Sequence, residues 1–76
     1  MNYEKKSLKN ESGLLLEAEN DRNYKEMEMT LYSDSVNIKM VNDSKKLDRF
    51  NETNMVLDTK EAMLLRDLLN EYLKNK

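Results

Sequence analysis

Apolar and polar residues alternate along the middle of the chain, as in strands that bury one face. Three such stretches follow one another, at 14–19, 26–32 and 36–41. A period of two places successive side chains on opposite faces of a sheet. The intervening segments, 20–23 and 33–35, consist mainly of Asn, Asp and Ser, which favour tight turns. The pattern therefore predicts a three-strand antiparallel meander.

Near the C-terminus the period changes to that of an α-helix. Asp58 and Glu61 have the N-cap and N3 spacing of a capping box, which marks a helix start. Behind them the apolar residues form a stripe about half the helix circumference wide. Its members are Ala62, Leu64, Leu65, Leu68, Leu69, Tyr72 and Leu73. Because one sheet surface covers less than that width, a second surface is expected to cover the remainder.

The remaining segments are less regular. Residues 1–12 are mostly polar and form either a flexible arm or a short edge strand. Residues 42–53 show no period and are predicted to be a loop that Leu47 and Phe50 anchor to the core. A short strand or extended lead-in follows at 54–57.

Together these segments predict a single α+β domain over residues 1–76. The sheet, a three- to four-stranded antiparallel β-meander, spans 14–57, and one C-terminal amphipathic helix at 58–74 packs against it. Five methionines are expected to fill the core of this domain. They are Met27, Met29, Met40, Met55 and Met63.

The chain has little apolar material for its size. Hydrophobic residues make up 38% of its 76 residues and charged residues 37%. A core this small leaves a monomer marginally stable, and self-association would relieve the deficit. We therefore expect a homodimer whose interface includes Leu64, Leu68 and Tyr72, on the outer part of the helix stripe.

Several residue types on which catalysis and cofactor binding depend are missing. The chain has no histidine and no cysteine, so the commonest metal ligands and the usual general base are absent. Gly13 is its only glycine, which excludes the glycine-rich loops that cradle phosphates. No base stands ready to activate a serine hydroxyl. We expect a non-catalytic protein with no cofactor and no metal site.

The sequence also favours a cytoplasmic protein. No run of about 18 apolar residues is present to span a membrane. Residues 1–6 lack the apolar stretch of a signal peptide. We therefore expect no membrane association.

An acidic sheet face is the strongest candidate for a binding site. The alternation places four carboxylates on the side opposite the core residues: Glu17, Glu19, Glu26 and Glu28. Like charges across strands oppose folding, so a patch of this kind suits a basic partner protein. Tyr32 is included in the candidate partner-binding surface. The alternatives are a solvated face partly neutralised by Lys39, and a divalent cation site. Leu15, Tyr32 and Val41 are expected to be exposed apolar residues on this face.

Charge and composition bear on the kind of partner. The net charge is −2, which gives no general attraction to nucleic acid. Frequent Asn and Lys, both encoded by A-rich codons, indicate a low-GC bacterium or one of its phages. The run from Val56 to Leu69 has a generic likeness to small bacteriophage and mobile-element proteins. It is a capped amphipathic helix after a strand, a pattern shared by many unrelated families, so it assigns the chain to none of them.

These observations favour a small non-catalytic protein-binding module, encoded by a phage or mobile element, that inhibits a host protein through its acidic sheet face. One alternative is a nucleic-acid accessory protein, with bases stacked on tyrosines. Its basic flanks would be Lys5, Lys6 and Lys9 of the arm with Lys45, Lys46 and Arg49 of the loop, and its stacking residues Tyr3, Tyr24 or Tyr32. Another alternative is a structural subunit of a larger assembly.

Overall fold

Five antiparallel strands form one sheet in the computed structural model, which describes residues 3–45, 47 and 49–76. The strands lie in chain order from one edge to the other. They are β1 (Glu4–Asn10), β2 (Gly13–Glu19), β3 (Asn23–Leu31), β4 (Ser35–Ser44) and β5 (Arg49–Asp58), followed by the helix α1 (Thr59–Lys74). The α+β class and the C-terminal helix agree with the sequence prediction.

The prediction of three to four strands is corrected to five. β1 occupies the segment interpreted as an arm or edge strand and pairs with β2 along its whole length. Much of the predicted loop at 42–53 is also strand, since β4 continues to Ser44 and β5 begins at Arg49. β1 and the first eight residues of β5 are exposed throughout. Where no face is buried, no alternation of apolar residues marks a strand in the sequence.

The start of α1 confirms the predicted capping box. The Asp58 carboxylate accepts a hydrogen bond from the Glu61 backbone N–H at 2.8 Å. In return, the Glu61 carboxylate accepts one from the Asp58 backbone N–H at 3.1 Å. Two of the amides that a helix leaves unpaired at its N-terminus are thereby satisfied.

The position of α1 differs from the predicted packing across the sheet. No residue separates the end of β5 from the start of α1, whereas a strand and a helix that pack on each other are usually joined by a turn of about two to six residues. In the described part of the chain, α1 contacts β4 and β5 but none of β1, β2 and β3. None of its residues is buried, and only Ala62 and Leu65 are half-buried.

The register divides the sheet into two faces of different character, because directly opposed residues share a face. One, here called the apolar face, carries Leu14, Leu16, Ala18, Met27, Met29, Leu31, Val36, Ile38, Met40, Met55 and Leu57. The other, here called the acidic face, carries Glu4, Glu17, Glu19, Glu26, Glu28, Asp43 and Glu52. The alternation in the sequence predicted this division for the three central strands.

The apolar face has no layer of protein over it. Among the described residues only Val41 and Leu57 are buried, at 6% and 8% exposure. Met40, Met55 and Met63, predicted to fill the core, are exposed. Their exposure follows from the position of α1, which leaves most of the sheet uncovered. The core that the sequence predicts is therefore not closed within one chain.

Val41 lies on the acidic face and was expected to be exposed, but it is buried. It lies on β4, the strand beside the edge strand β5, directly between Glu26 on β3 and Glu52 on β5. A short side chain between two longer ones is readily shielded from water. Leu15 on the same face is half-buried, and Tyr32 is exposed as expected.

Candidate protein-binding surfaces

The four predicted carboxylates do lie together on the acidic face. Glu17 is directly opposite Glu26 across the β2–β3 pair, and Glu28 follows Glu26 two residues along β3. Glu19 lies two residues from Glu17 at the end of β2. The register thus places the four carboxylates on one side of the sheet, and their use as an acidic binding surface remains a proposal.

Tyr24 joins two of these carboxylates. Its hydroxyl oxygen lies 2.7 Å from Glu26 Oε1 and 3.1 Å from Glu17 Oε2. The hydrogen bond to Glu26 raises the pKa of Tyr24, with further contributions from burial and from Glu17. Sequence reasoning considered Tyr24 only as a base-stacking residue. The sequence did indicate its position, because Tyr24 precedes Glu26 by two residues and Glu28 by four. Residues spaced by two along a strand lie on the same face of the sheet.

Lysines compensate part of the negative charge. Lys39 Nζ lies 3.6 Å from Glu26 Oε2, in the neutralising role predicted for it. Lys45 donates a hydrogen bond to Glu19, and this ammonium group holds the Glu19 pKa below its ordinary value. Both pairs are partly or largely exposed. Exposed pairs of this kind contribute little to stability.

Charge is strongly segregated between the two faces. Every charged strand residue on the apolar face is basic: Lys5, Lys9, Lys25 and Arg49. On the acidic face the carboxylates named above stand against only Lys6 and Lys39 among the strand residues. The two sides of the sheet therefore suit partners of different chemistry.

Tyr32 is not part of the acidic cluster, which corrects its assignment to the same surface. It lies in the turn between β3 and β4, where its N–H donates to the Ser35 carbonyl at 2.9 Å. This turn is at the end of the sheet where α1 begins, because Ser35 pairs with Asp58. Glu17 and Glu19 lie toward the opposite end of β2. Tyr32 is therefore separated from them by most of the length of the sheet.

The predicted dimer residues on α1 are all uncovered. Leu64, Leu68 and Tyr72 are 64%, 67% and 58% exposed. The Lys76 ammonium lies 4.9 Å from the centre of the Tyr72 ring. The stripe is uncovered over more than the width expected from its sequence, because Leu69 and Leu73 are exposed as well, and its use as an interface remains a proposal.

The basic residues of the nucleic-acid alternative do not form one surface. Lys5 and Lys9 are on the apolar face, while Lys6 is on the acidic face. Lys45 is paired with Glu19, and Lys46 lies outside the described residues. The remaining member, Arg49, is on β5, at the opposite edge of the sheet from β1.

The base-stacking tyrosines of that alternative are similarly dispersed. Tyr3 lies under the Lys25 ammonium, 4.8 Å from the ring centre. Tyr24 is hydrogen-bonded within the acidic face. Tyr32 is in the turn at the far end of the sheet. No common platform for successive bases results from these three positions.

No protein-family model matches the chain, and neither curated proteins nor solved structures give a significant match. Over the residues that the structure describes, no group of three carboxylates could hold a metal ion. Within the same residues, no helix is long and apolar enough to cross a membrane. Inference of function therefore rests on the surfaces themselves.

Tyr24→Phe tests the bridge between the carboxylates. Relative to its ordinary value of 10.0, the folded-state pKa of Tyr24 is raised, so its contribution to stability is complete below pH 10 and is lost as pH rises above it. In an ultraviolet titration of tyrosinate, one tyrosine of the parent should ionise late, and Tyr24→Phe should remove that late phase. The control, Tyr32→Phe, should retain it. Loss of the phase in the control instead would contradict the assignment.

Proposed function

We propose that this chain is a non-catalytic protein-binding module that presents its acidic face to a basic surface of a partner protein. The observation that carries the proposal is the segregation of charge, with carboxylates concentrated on one side of the sheet. Glu17 and Glu26 are directly opposed, an arrangement that opposes folding by about 0.2–1 kcal/mol per pair. A basic partner would convert this repulsion into attraction and would accelerate association.

The mode of action we favour is occupation of a surface on the partner. A chain without histidine, cysteine or a phosphate-binding glycine loop is poorly equipped for chemistry, but a small rigid sheet can block a site. Inhibition of a host protein by a phage or mobile-element product is the form of this function that small size and composition support. The compartment consistent with it is the cytoplasm.

A nucleic-acid accessory role is the second candidate, favoured by the exclusively basic charge of the apolar face. Against it, Lys6 and Lys45 of the two predicted basic flanks lie close to carboxylates. A mobility-shift titration with labelled single-stranded DNA and RNA distinguishes the two candidates. Salt-dependent binding would support the nucleic-acid role, whereas the protein-binding proposal predicts none at low salt.

Removing the four central charges tests the acidic face. Glutamine keeps the size and the acceptor oxygen of each side chain while removing its charge. The tested variant combines Glu17→Gln, Glu19→Gln, Glu26→Gln and Glu28→Gln. Proteins that the parent captures from an extract would be identified by mass spectrometry, and their association rates measured with both chains. We expect association with the variant to be at least about tenfold slower at low salt.

A control variant removes negative charge elsewhere. It combines three exposed positions that lie outside both the acidic face and α1: Glu11→Gln, Asp21→Asn and Asp34→Asn. This control should associate with the captured protein nearly as fast as the parent. If the acidic-face variant is folded and shows the parent's rate and salt dependence, the acidic face serves only solubility and the proposal fails.

A further inference from the structure

Two apolar surfaces of this chain lack a partner. One is the apolar face, where Leu16 is 41% and Met55 53% exposed. The other is the stripe of α1 that contains Leu64, Leu68 and Tyr72. We propose that two copies of the chain associate so that α1 of each copy lies on the apolar face of the other. This inference goes beyond the proposed function, because it concerns the side of the sheet opposite the acidic face.

The connection between β5 and α1 explains why the helix does not cover its own sheet. Asp58 ends β5 and is also the N-cap of α1. A helix that reverses onto the centre of its own sheet needs connecting residues, and none is present here. Accordingly α1 contacts only β4 and β5 within the described part of the chain. The apolar stripe beyond the first helical turns is free to reach a second copy.

The exposed area matches what a stable dimer buries. The chain exposes 6521 Å², whereas a compact monomer of 9.1 kDa exposes about 4,900 Å². The excess is about 1,600 Å², within the range of about 1,000–2,500 Å² that each subunit of an obligate homodimer buries. Its radius of gyration, 14.5 Å, likewise exceeds the value of about 11 Å for a compact domain of this length.

The dimensions of the two surfaces are compatible. The 16 residues of α1 extend about 24 Å along the helix axis. Five strands span about 19 Å between the two edges of the sheet. Two depressions, of about 360 and 270 Å³, open beside Leu16 and Leu14, where side chains of a docked helix could insert. A partner helix could therefore cross most of the apolar face.

Charge also favours a second copy of α1 as the occupant. The apolar face carries only basic charges, at Lys5, Lys9, Lys25 and Arg49. On α1, Asp67 precedes Leu68 and Glu71 follows it by three residues, so carboxylates border the exposed stripe. A docked helix would bring these carboxylates toward the four basic residues. The same basic residues oppose the approach of a second apolar face, which would bring like charges together.

Cysteine cross-linking tests this arrangement directly, because the native chain has no cysteine. Equal amounts of the Leu68→Cys and Met29→Cys variants would be mixed, allowed to exchange and oxidised. We expect a disulfide between the two variants, joining α1 of one copy to the apolar face of the other. The matched control replaces Met29→Cys by Thr30→Cys, which is adjacent on the acidic face and should not cross-link. Cross-linking of Leu68→Cys only with itself would indicate helix–helix pairing and overturn the proposal.

Light scattering gives a second test. The parent should have a molar mass near twice 9.1 kDa, and Leu68→Lys should reduce it to that of a monomer or unfold the chain. Asn70→Lys adds the same charge on the polar side of α1 and should leave the dimer intact. A monomeric parent, or a Leu68→Lys variant that stays dimeric, would overturn the proposal. Neither result would bear on the acidic face, whose test uses the charge variants described above.

Discussion

Leu57→Ala should lower the free energy of unfolding by about 2–5 kcal/mol, as expected when a buried leucine is truncated to alanine. Leu57 is 8% exposed and is the last apolar-face residue of β5 before the helix cap. It lies opposite Val36 on β4, in the strand that leads directly into α1. Truncation would leave a cavity at one of the two buried residues, Val41 and Leu57, in the described part of the chain. Chemical denaturation followed by circular dichroism measures the change.

Leu8→Ala is the matched control for this prediction. It removes the same atoms from a leucine on β1 that is 62% exposed, on the side of the sheet away from the proposed dimer interface. An exposed truncation of this kind should change the free energy of unfolding by no more than about 0.5 kcal/mol. Equal losses for the two variants would show that Leu57 is not part of the core.

Gly13→Ala should destabilise the β1–β2–β3 part of the sheet. A Cβ atom at this position would overlap the carbonyl oxygen of Met29 on the neighbouring strand. Backbone atoms cannot turn aside as a flexible side chain can, so the strands must separate locally. We expect a loss of about 1–3 kcal/mol in the free energy of unfolding. Amide hydrogen exchange should locate the lost protection at the Gly13–Thr30 end of the strand pair.

Glu11→Ala provides the comparison for Gly13→Ala. Glu11 is exposed in the turn that precedes β2, so its side chain can be shortened without a steric conflict. Its effect should stay within about 0.5 kcal/mol. If Gly13→Ala were as stable as the parent, the close approach of β2 and β3 at this point would be wrong.

The central strands and the helix could be predicted because each has one apolar side and one polar side. Met27 and Met29 alternate with Glu26 and Glu28, so one register alone keeps apolar residues together. Asp58 supplies a chemical signal for the helix start that depends only on its neighbours. The shared face of the four central carboxylates followed from the same alternation.

The edge strands and the placement of α1 could not be predicted in this way. β1 and most of β5 are exposed, so their sequences carry no alternation imposed by burial. Val41, which is buried, lies between Glu26 and Glu52 on two neighbouring strands, and this arrangement depends on the unpredicted strand β5. The uncovered apolar face depends on the absence of a linker after β5, and the hydrophobic pattern contains no information about that geometry.

Taken together, the two proposals assign a different kind of contact to each face of the sheet. The apolar face and the stripe of α1 are proposed to hold two copies together, leaving the acidic face directed outward. Because these surfaces lie on opposite sides of the sheet, a partner could bind the acidic face without disturbing the dimer. A dimer would also present two acidic faces, which strengthens binding to any partner that carries repeated basic surfaces.

The dependence of the thermal unfolding midpoint on chain concentration tests most directly whether a second copy completes the core. When folding and association are coupled, mass action raises the midpoint as concentration increases. We therefore predict a midpoint that rises steadily with concentration, together with a molar mass near twice 9.1 kDa for the folded protein. A midpoint that is the same at all concentrations, with a folded molar mass of 9.1 kDa, would contradict the account.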